Sequence, residues 1–203
     1  MPSQEAINSE YFILASGSEI RKKILSSQGF NFMVKSPEVD EENLKKKLTN
    51  LPFESRAEAL AEAKAKEVSH KNMGTYVVGA DQMCVCDNKI FNKPGNKEIA
   101  LQNLSVLSGK VHYQYSGISI CLGGKVVWSF CDISSLTMKK LSKEELISYI
   151  EKDKPYSCAG SYKYESYGAD LFSEVKGSKF SILGLALKPL MCAFDELKVS
   201  FKK

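Results

Sequence analysis

Residues 77–94, VVGADQMCVCDNKIFNKP, constrain the fold and the chemistry of this chain more than any other stretch. They begin as an apolar run with two β-branched residues, which predicts a buried central strand. The run is interrupted at Gly79, and Asp81 follows at the expected end of the strand. Twelve residues after Asp81 comes Lys93, which is followed by Pro94. An acid at a strand end and a lysine close behind it indicate a site that handles protons and anions.

Composition limits the class of protein. The chain has 203 residues, of which 43% are hydrophobic and 26% are charged, values typical of a soluble globular protein. This length suits one α/β domain over residues 1–203, either as one body or as two joined lobes. The net charge of +4 is scattered, and the short basic tail 198–203 is expected to be a solvated end. A protein that binds nucleic acid would concentrate its basic residues, so nucleic acid is not expected as a partner.

Targeting and cysteine signals favour a cytoplasmic protein. No stretch reaches the roughly 18 apolar residues that a membrane span needs, and MPSQEAINSE has no signal-peptide layout. The six cysteines are therefore expected to be reduced, apolar-like side chains. Cys84 and Cys86 form C-x-C on one face of a strand, which is not the usual spacing of a structural zinc site.

The N-terminal part predicts a strand, a turn and a helix. An apolar strand over 11–15 ends at Ser16-Gly17-Ser18, and a helix is expected over 19–28 with Ser18 as its N-cap. Backbone N–H groups at such a helix start bind phosphate, and Arg21 would add a planar cation. A plain capped helix explains the same pattern, so both interpretations stay open.

The clearest helix is expected over 53–69. Lys64 falls in the middle of its apolar stripe, where a lysine either reaches outward or enters a cleft that holds an anion, and we favour the cleft. Upstream, Glu41 belongs to an acidic run that suits the first turn of a helix. A metal-binding role for Glu41 requires further ligands from elsewhere.

The second half alternates between regular and irregular segments. A helix capped by Asn96 is followed by a hairpin around Gly123-Gly124 and by a helix over 143–152. Residues 158–185 show no sustained period, which predicts loops that line a site, and Glu165 is the acid of interest there. A last helix is expected over 188–197. His70 and His112 are isolated and are expected to be structural or exposed.

Seven ordered blocks resemble the Maf nucleotide pyrophosphatases. They cover nearly the whole chain, which makes the resemblance far more specific than any single motif. The blocks are LASGSEIRKKIL, PEVDEE, LAEAKA, VVGADQMCVCDNKIFNKP, LSGKVH, CAGSYKYESYG and GSKFSILGL.

The resemblance implies a fold, a reaction and a set of site residues. The fold is an elongated mixed α/β sheet with flanking helices and two lobes around a central cleft, as in Maf and ITPase-like proteins. The reaction is the metal-assisted hydrolysis of a nucleoside triphosphate to its monophosphate and pyrophosphate. The matching positions are Ser16 and Arg21 in the phosphate-binding turn, Glu41 as the acidic site residue, Lys64 and Lys93 as two phosphate-binding lysines, and Asp81 as the catalytic acid.

Departures from the commonest family pattern indicate the nucleotide. Gln82 follows the acid in place of Thr, Ile20 replaces the first arginine, and Glu165 stands in the late loop in place of a glutamine. In these three positions the chain is similar to the branch of the family that hydrolyses 7-methyl-GTP. The base of 7-methyl-GTP is cationic, so a carboxylate can both accept hydrogen bonds from it and balance its charge. Glu19 replaces the family proline and matches neither branch.

The expected cofactor is a divalent cation, Mg²⁺ or Mn²⁺, held by Glu41 and Asp81. The expected partner is a small-molecule nucleotide, and neither nucleic acid nor a membrane is expected as a partner. A homodimer is the oligomer that we consider. Two alternatives stay open: a dTTP or UTP pyrophosphatase of the same family, and a non-catalytic nucleotide-binding regulator of cell division.

Overall fold

A computed structural model describes residues 10–202. The segment MPSQEAINSE, whose layout is the reason that no signal peptide is expected, lies outside these residues except for Glu10. Lys203 also lies outside them. Within the described residues no helix is long and apolar enough to cross a membrane.

Strands and helices alternate along the chain. The strands are β1 (Phe12–Ala15), β2 (Phe32–Val34), β3 (Val77–Cys86), β4 (Lys89–Phe91), β5 (Val111–Leu122), β6 (Lys125–Met138) and β7 (Phe172–Lys176). The helices are α1 (Glu19–Ser27), α2 (Glu41–Lys47), α3 (Phe53–His70), α4 (Lys97–Leu107), α5 (Lys143–Asp153), α6 (Lys179–Ile182) and α7 (Leu187–Glu196). Two 3-10 helices, Ala159–Ser161 and Tyr167–Leu171, precede β7.

The seven strands form one mixed sheet in the order β2-β1-β3-β5-β6-β7, with β4 paired to β3. β1 pairs in parallel with both β2 and β3, whereas the β3–β4 and β6–β7 pairs are antiparallel. This architecture confirms the expected mixed α/β class with flanking helices.

The chain divides into two compact units. Unit 1 contains the described residues up to Asp81 together with Gly117–Cys131 and the residues from Leu185 onward. Unit 2 contains Gln82–Ser116 and Asp132–Gly184. The chain passes from one unit to the other inside β3, β5 and β6.

Unit 1 has a core of aromatic rings and small aliphatic side chains. The ring of Phe12 lies 5.3 Å from those of Phe194 and Phe201, measured between centroids. Phe201 is buried and its carbonyl accepts from Asn31 N at 2.6 Å, so the prediction of a wholly solvated tail is wrong. The aromatic residue gives this basic end an apolar anchor.

Two glycines let α3 lie directly against the sheet of unit 1. A Cβ at Gly79 would lie 2.2 Å from Ala61 O, and one at Gly117 would lie 2.1 Å from Ala57 O. Both contacts are to helix backbone, so no side chain fits at either position. Gly79 therefore marks a close helix approach and not a strand end, and β3 runs on through Asp81 to Cys86.

Unit 2 has its own core, in which Cys84 and Cys86 lie side by side on the same face of β3. β5 adds polar side chains to the interior of this unit. The hydroxyl of Tyr162 accepts from Gln114 Nε2 at 2.6 Å and lies 3.0 Å from His112 Nε2. The predicted structural role of His112 agrees with its complete burial.

Candidate functional site

The turn between β1 and α1 is organised by Ser16. Its buried hydroxyl accepts from Ser18 N at 3.2 Å and from Arg21 Nη1 at 3.0 Å. Ser18 does occupy the N-cap position, but its side chain makes no capping hydrogen bond. The turn therefore ties the guanidinium of Arg21 to the end of β1. Ile20 precedes Arg21 in the first turn of α1 and is half-buried.

Lys64 joins two carboxylates in unit 1. Its Nζ lies 2.6 Å from Asp81 Oδ1 and 2.9 Å from Glu41 Oε1. The side chains of Lys64 and Asp81 are each 10% exposed, and that of Glu41 is 40% exposed. Lys64 therefore does not reach outward to solvent, and its anionic neighbours are the protein's own carboxylates. The cleft that would hold a bound anion stays a prediction.

Arg21 belongs to the same group of charges. Burial lowers the pKa of its guanidinium, while the charges of Asp81 and Glu41 raise it. Arg21 nevertheless stays protonated, because its ordinary pKa lies far above neutrality. Two cations, Arg21 and Lys64, thus lie near two carboxylates, and Lys45 Nζ is a further cation 3.8 Å from Glu41 Oε2. We call Ser16, Arg21, Glu41, Lys64 and Asp81 the charged cluster.

Local structure explains why these residues meet. Asp40 caps α2 by accepting from Asn43 N at 3.1 Å, which places Glu41 in the first helical turn. Lys64 lies on the buried stripe of α3, and Asp81 lies on β3 two residues after Gly79. Since the glycine brings α3 against β3, the lysine reaches the carboxylate within hydrogen-bonding distance.

Unit 2 holds the other predicted site residues. Lys93 is exposed and precedes the buried Pro94, and the next residue, Gly95, donates its N–H to Tyr156 O at 2.9 Å. Burial raises the pKa of the Cys158 thiol, the charge of Glu165 raises it further, and the charge of Lys93 lowers it. The charges of Lys93 and Glu165 thus shift the pKa of the same thiol in opposite directions.

Gln82 makes a specific structural contact in unit 2. Its Nε2 donates to Ile182 O at 2.7 Å and to Ser181 O at 3.1 Å. The Ser181 hydroxyl in turn donates to Asp132. The amide nitrogen of Gln82 thus ties β3 to α6, which leaves its amide oxygen as the group for any contact with a base.

Sequence reasoning missed one residue of this region, Asp153. It is the last residue of α5 and is 7% exposed, and its carboxylate accepts from the loop that carries Glu165. A signal was present, because an acidic residue at a helix C-terminus is electrostatically unfavourable and therefore requires another partner. The helix was expected to end one residue earlier, at Lys152.

The donor set of the charged cluster fits a hard divalent cation. Glu41 and Asp81 offer carboxylate oxygens, which Mg²⁺ and Mn²⁺ prefer. Among residues 10–202, no group of three or more His, Cys, Asp or Glu side chains forms a metal site on its own.

Comparisons with known proteins identify the family. The family model described as Maf-like protein matches residues 11–197. A nucleoside triphosphate pyrophosphatase of Legionella pneumophila strain Philadelphia 1 is 40% identical, covering 92% of this chain and 94% of the relative. A 7-methyl-GTP pyrophosphatase of Brucella abortus biovar 1 strain 9-941 is 36% identical, with coverages of 88% and 92%. The chain belongs to the Maf family.

A comparison with solved structures finds a more distant likeness. A nucleoside-triphosphatase / dITP/XTP pyrophosphatase from Mycobacterium abscessus is 16% identical and gives a TM-score of 0.40. The match covers 89% of this chain and 97% of the other.

Proposed function

We propose that this protein is a nucleoside triphosphate pyrophosphatase that hydrolyses 7-methyl-GTP to 7-methyl-GMP and pyrophosphate. The observation that carries the proposal is the contact of one buried lysine, Lys64, with two carboxylates, Glu41 and Asp81. The name of the Legionella relative supports the reaction, and the name of the Brucella relative supports the nucleotide.

Asp81 is the proposed general base. Its carboxylate accepts a proton from the water that attacks the α-phosphorus, while the bond between the α-phosphorus and the bridging oxygen breaks and pyrophosphate leaves. Lys64 orients this carboxylate by donating to Oδ1 at 2.6 Å. The Lys64 hydrogen bond is to Oδ1 of the two carboxylate oxygens of Asp81.

The cations of the site stabilise the phosphates. Lys64 and Arg21 in unit 1 are proposed to offset the charge that develops on the phosphate oxygens, with the Ser16 hydroxyl as a further hydrogen-bonding group. In unit 2 we assign Lys93 to the same task. Arg21 is suited to it because its planar fork can donate two parallel hydrogen bonds to one phosphate.

Glu41 and Asp81 would hold the divalent cation, Mg²⁺ or Mn²⁺. When bound, the cation would neutralise phosphate charge and lower the pKa of a coordinated water. A triphosphate would bring several negative charges to the charged cluster. The two carboxylates therefore supply the place where a compensating cation can enter together with the substrate.

Glu165, Ile20 and Gln82 are the proposed specificity residues. A 7-methylated guanine is cationic and presents N–H donors, so the exposed carboxylate of Glu165 can accept from it and balance its charge. The half-buried Ile20 offers an apolar surface next to the phosphate-binding turn. Gln82 acts through its amide oxygen or by holding α6 in place.

A nucleotide panel tests the proposal. The purified protein would be incubated with Mg²⁺ and 7-methyl-GTP, GTP, UTP or dTTP, and pyrophosphate would be measured separately from phosphate. Preferential release of pyrophosphate from 7-methyl-GTP is the expected result. Release from UTP or dTTP alone would favour a pyrimidine nucleotide, and binding without hydrolysis would favour a regulator.

Asp81→Asn tests the assigned base. The amide keeps the shape of the side chain but cannot accept the proton, so turnover of 7-methyl-GTP should fall on the order of 10²- to 10⁴-fold. Asp195→Asn, the same change at an exposed position of α7 in unit 1, should leave turnover unchanged. A folded Asp81→Asn protein with full activity would remove Asp81 from the mechanism.

Glu165→Gln tests the assignment of the base-binding residue. The substitution removes the negative charge while it keeps an acceptor oxygen. The ratio of kcat/KM for 7-methyl-GTP to that for UTP should therefore fall. Equal effects on the two nucleotides would exclude Glu165 from recognition.

A further inference from the structure

Glu165 lies in a short closed loop of unit 2, residues 163–168, which we call the Glu165 loop. Ser166 N donates to Lys163 O at 3.2 Å, which closes the loop on itself. Glu165 and Ser166 are exposed, whereas Gly168 is buried. The loop thus presents Glu165 to solvent from an anchored base.

The last two turns of α5 provide the anchors. Asp153 Oδ1 accepts from Ser166 Oγ at 2.7 Å, and Asp153 Oδ2 accepts from Gly168 N at 3.1 Å. One turn earlier on the helix, the hydroxyl of Tyr149 accepts from Lys163 N at 2.9 Å. Both ends of the Glu165 loop are therefore bonded to one rigid element.

Gly168 makes the anchoring tight. A Cβ at this position would lie 2.3 Å from Lys163 O and 2.9 Å from Lys163 N, so the two ends of the loop approach more closely than any side chain allows. The backbone of the loop consequently has little freedom, and the side chain of Glu165 keeps a fixed point of attachment.

Asp153 has the properties of a residue that acts through another. It is 7% exposed, and both of its oxygens are used on residues one and three positions after Glu165. Hydrogen bonds to a carboxylate are stronger than those between neutral groups. A buried acid at a helix C-terminus is unfavourable by itself, so its presence is explained by the loop that it holds.

We propose that Asp153 is a positioning residue for Glu165 and thereby sets the selectivity for a nucleotide with a cationic base. This inference rests on the proposed function, because it assumes that Glu165 accepts from the base. Recognition by an exposed carboxylate needs preorganisation, since every rotatable bond that must be ordered on binding reduces the affinity.

The test uses the intact protein and the variants Asp153→Asn, Glu165→Gln and their combination. Asp153→Asn keeps the shape of the side chain and one acceptor oxygen but loses the second acceptor. The ratio of kcat/KM for 7-methyl-GTP to that for UTP should fall about tenfold, because small displacements of a binding group are costly. The kcat for UTP should stay within about twofold of the wild-type value, because the charged cluster is untouched.

The combined variant separates positioning from general stability. If Asp153 acts through Glu165, adding Asp153→Asn to Glu165→Gln should cause no further loss of the ratio. Asp170→Asn, the same change at an exposed position two residues after Gly168, should leave the ratio unchanged. An additive loss in the combined variant, or an unchanged ratio in a folded Asp153→Asn protein, would overturn the inference.

Ser166→Ala provides a milder second variant in case Asp153→Asn does not fold. It removes one of the three hydrogen bonds that anchor the loop to α5, at an exposed position. The ratio should fall about threefold, a smaller loss than a full displacement causes. Hydrogen exchange at the Gly168 amide should rise in Asp153→Asn. An unchanged ratio in Ser166→Ala together with unchanged exchange in Asp153→Asn would also overturn the inference.

Calorimetric binding separates failure of this inference from failure of the proposed reaction. The affinities for 7-methyl-GMP and UMP need no turnover, and their ratio should fall in Asp153→Asn as the kinetic ratio does. A wild-type protein that releases no pyrophosphate would overturn the proposed reaction, while the binding ratio still tests Asp153. Equal binding of 7-methyl-GMP and UMP by the wild-type protein would overturn the role of Asp153.

Discussion

A lysine that is about nine-tenths buried needs charge partners, and Lys64 finds two of them on different elements. Glu41 comes from the first turn of α2, and Asp81 comes from the middle of β3. Lys66, two residues further along the same helix, pairs with Glu62 at 3.3 Å and is 44% exposed at its side chain. The two lysines differ in surroundings and not in chemistry, which makes them a matched pair for mutation.

Lys64→Met should destabilise the protein by about 3 kcal/mol, because the carboxylate of Asp81 would stay largely buried without its partner. Turnover of 7-methyl-GTP should fall as well, since the same side chain is assigned to the phosphates. Lys66→Met should change the free energy of unfolding by less than about 1 kcal/mol, as expected of an exposed ion pair. Urea denaturation measures the free energy of unfolding of both variants. Equal losses of stability in Lys64→Met and Lys66→Met would contradict the assigned environment of Lys64.

His112 makes stability depend on pH. Burial lowers its pKa to about 4, whereas an unfolded histidine has a pKa of about 6.5. Between these values the unfolded state binds more protons, so the free energy of unfolding falls as the pH is lowered from 7 towards 4. From pH 7 to pH 5 the loss should be about 2 kcal/mol.

Substitutions of the two histidines check this dependence. In His112→Gln, most of the loss of stability between pH 7 and pH 5 should disappear, as measured from urea midpoints. This holds whatever the substitution does to stability at pH 7. His70→Gln, at an exposed position, should leave the loss in place. A pH dependence that survives in His112→Gln would show that other groups cause it.

At the scale of elements, the packing of α3 on β3 decides whether the charged cluster forms. A methyl group at Gly79 would meet the backbone of Ala61 at 2.2 Å and that of Ala65 at 2.7 Å, so α3 would have to move. Gly79→Ala should destabilise the protein by about 3 kcal/mol, at the upper end of overpacking costs. It should also lower turnover, because α3 carries Lys64.

Gly74→Ala is the control for this substitution. A Cβ at Gly74 has no heavy atom within 4 Å and the position does not require a positive φ, so stability should change by less than about 1 kcal/mol. Urea midpoints and 7-methyl-GTP turnover would be compared for both variants. A stable and active Gly79→Ala protein would contradict the close approach of α3 to β3.

Elements with strong local signals could be predicted from the sequence, and elements defined by pairing could not. The apolar stripe of α3 and the Gly123-Gly124 hairpin agree with their predictions. β7 was missed because its pairing with β6 is set by partners far away in sequence, and the segment that contains it lacks a clear period. Asp81 was expected at a strand end because glycine interrupts the apolar pattern, although the strand continues.

The same distinction applies to the candidate site. The charge pattern and the family resemblance pointed to Lys64 and Asp81, and the structure brings them into contact. The anchoring role of Asp153 depends on a loop that folds back onto the end of α5, a contact that no local pattern encodes.

At the scale of the molecule, the two units share their longest strands. β3, β5 and β6 each begin in one unit and end in the other, so neither unit is a continuous piece of chain. Each of these three strands carries the backbone directly from one unit into the other. We therefore expect a single cooperative unfolding transition.

Two probes test this cooperativity. Trp128 is the sole tryptophan of the sequence and lies in unit 1, so its fluorescence reports that unit. Hydrogen exchange of the α5 amides reports unit 2. The urea midpoints should coincide, and a lower midpoint for α5 would show that unit 2 unfolds separately.

The buried cysteines can report when each unit of the protein unfolds. Cys84 and Cys86 lie in the core of unit 2 and Cys121 lies in that of unit 1, while Cys192 is exposed on α7. Burial raises the pKa of the Cys121 thiol to about 11 and that of Cys84 further still. Only the thiolate form of cysteine reacts with alkylating reagents. A pulse of reagent should therefore modify the exposed Cys192 at once and the three buried thiols only when their units unfold. Mass spectrometry of the modified cysteines would then give the time at which each unit opens.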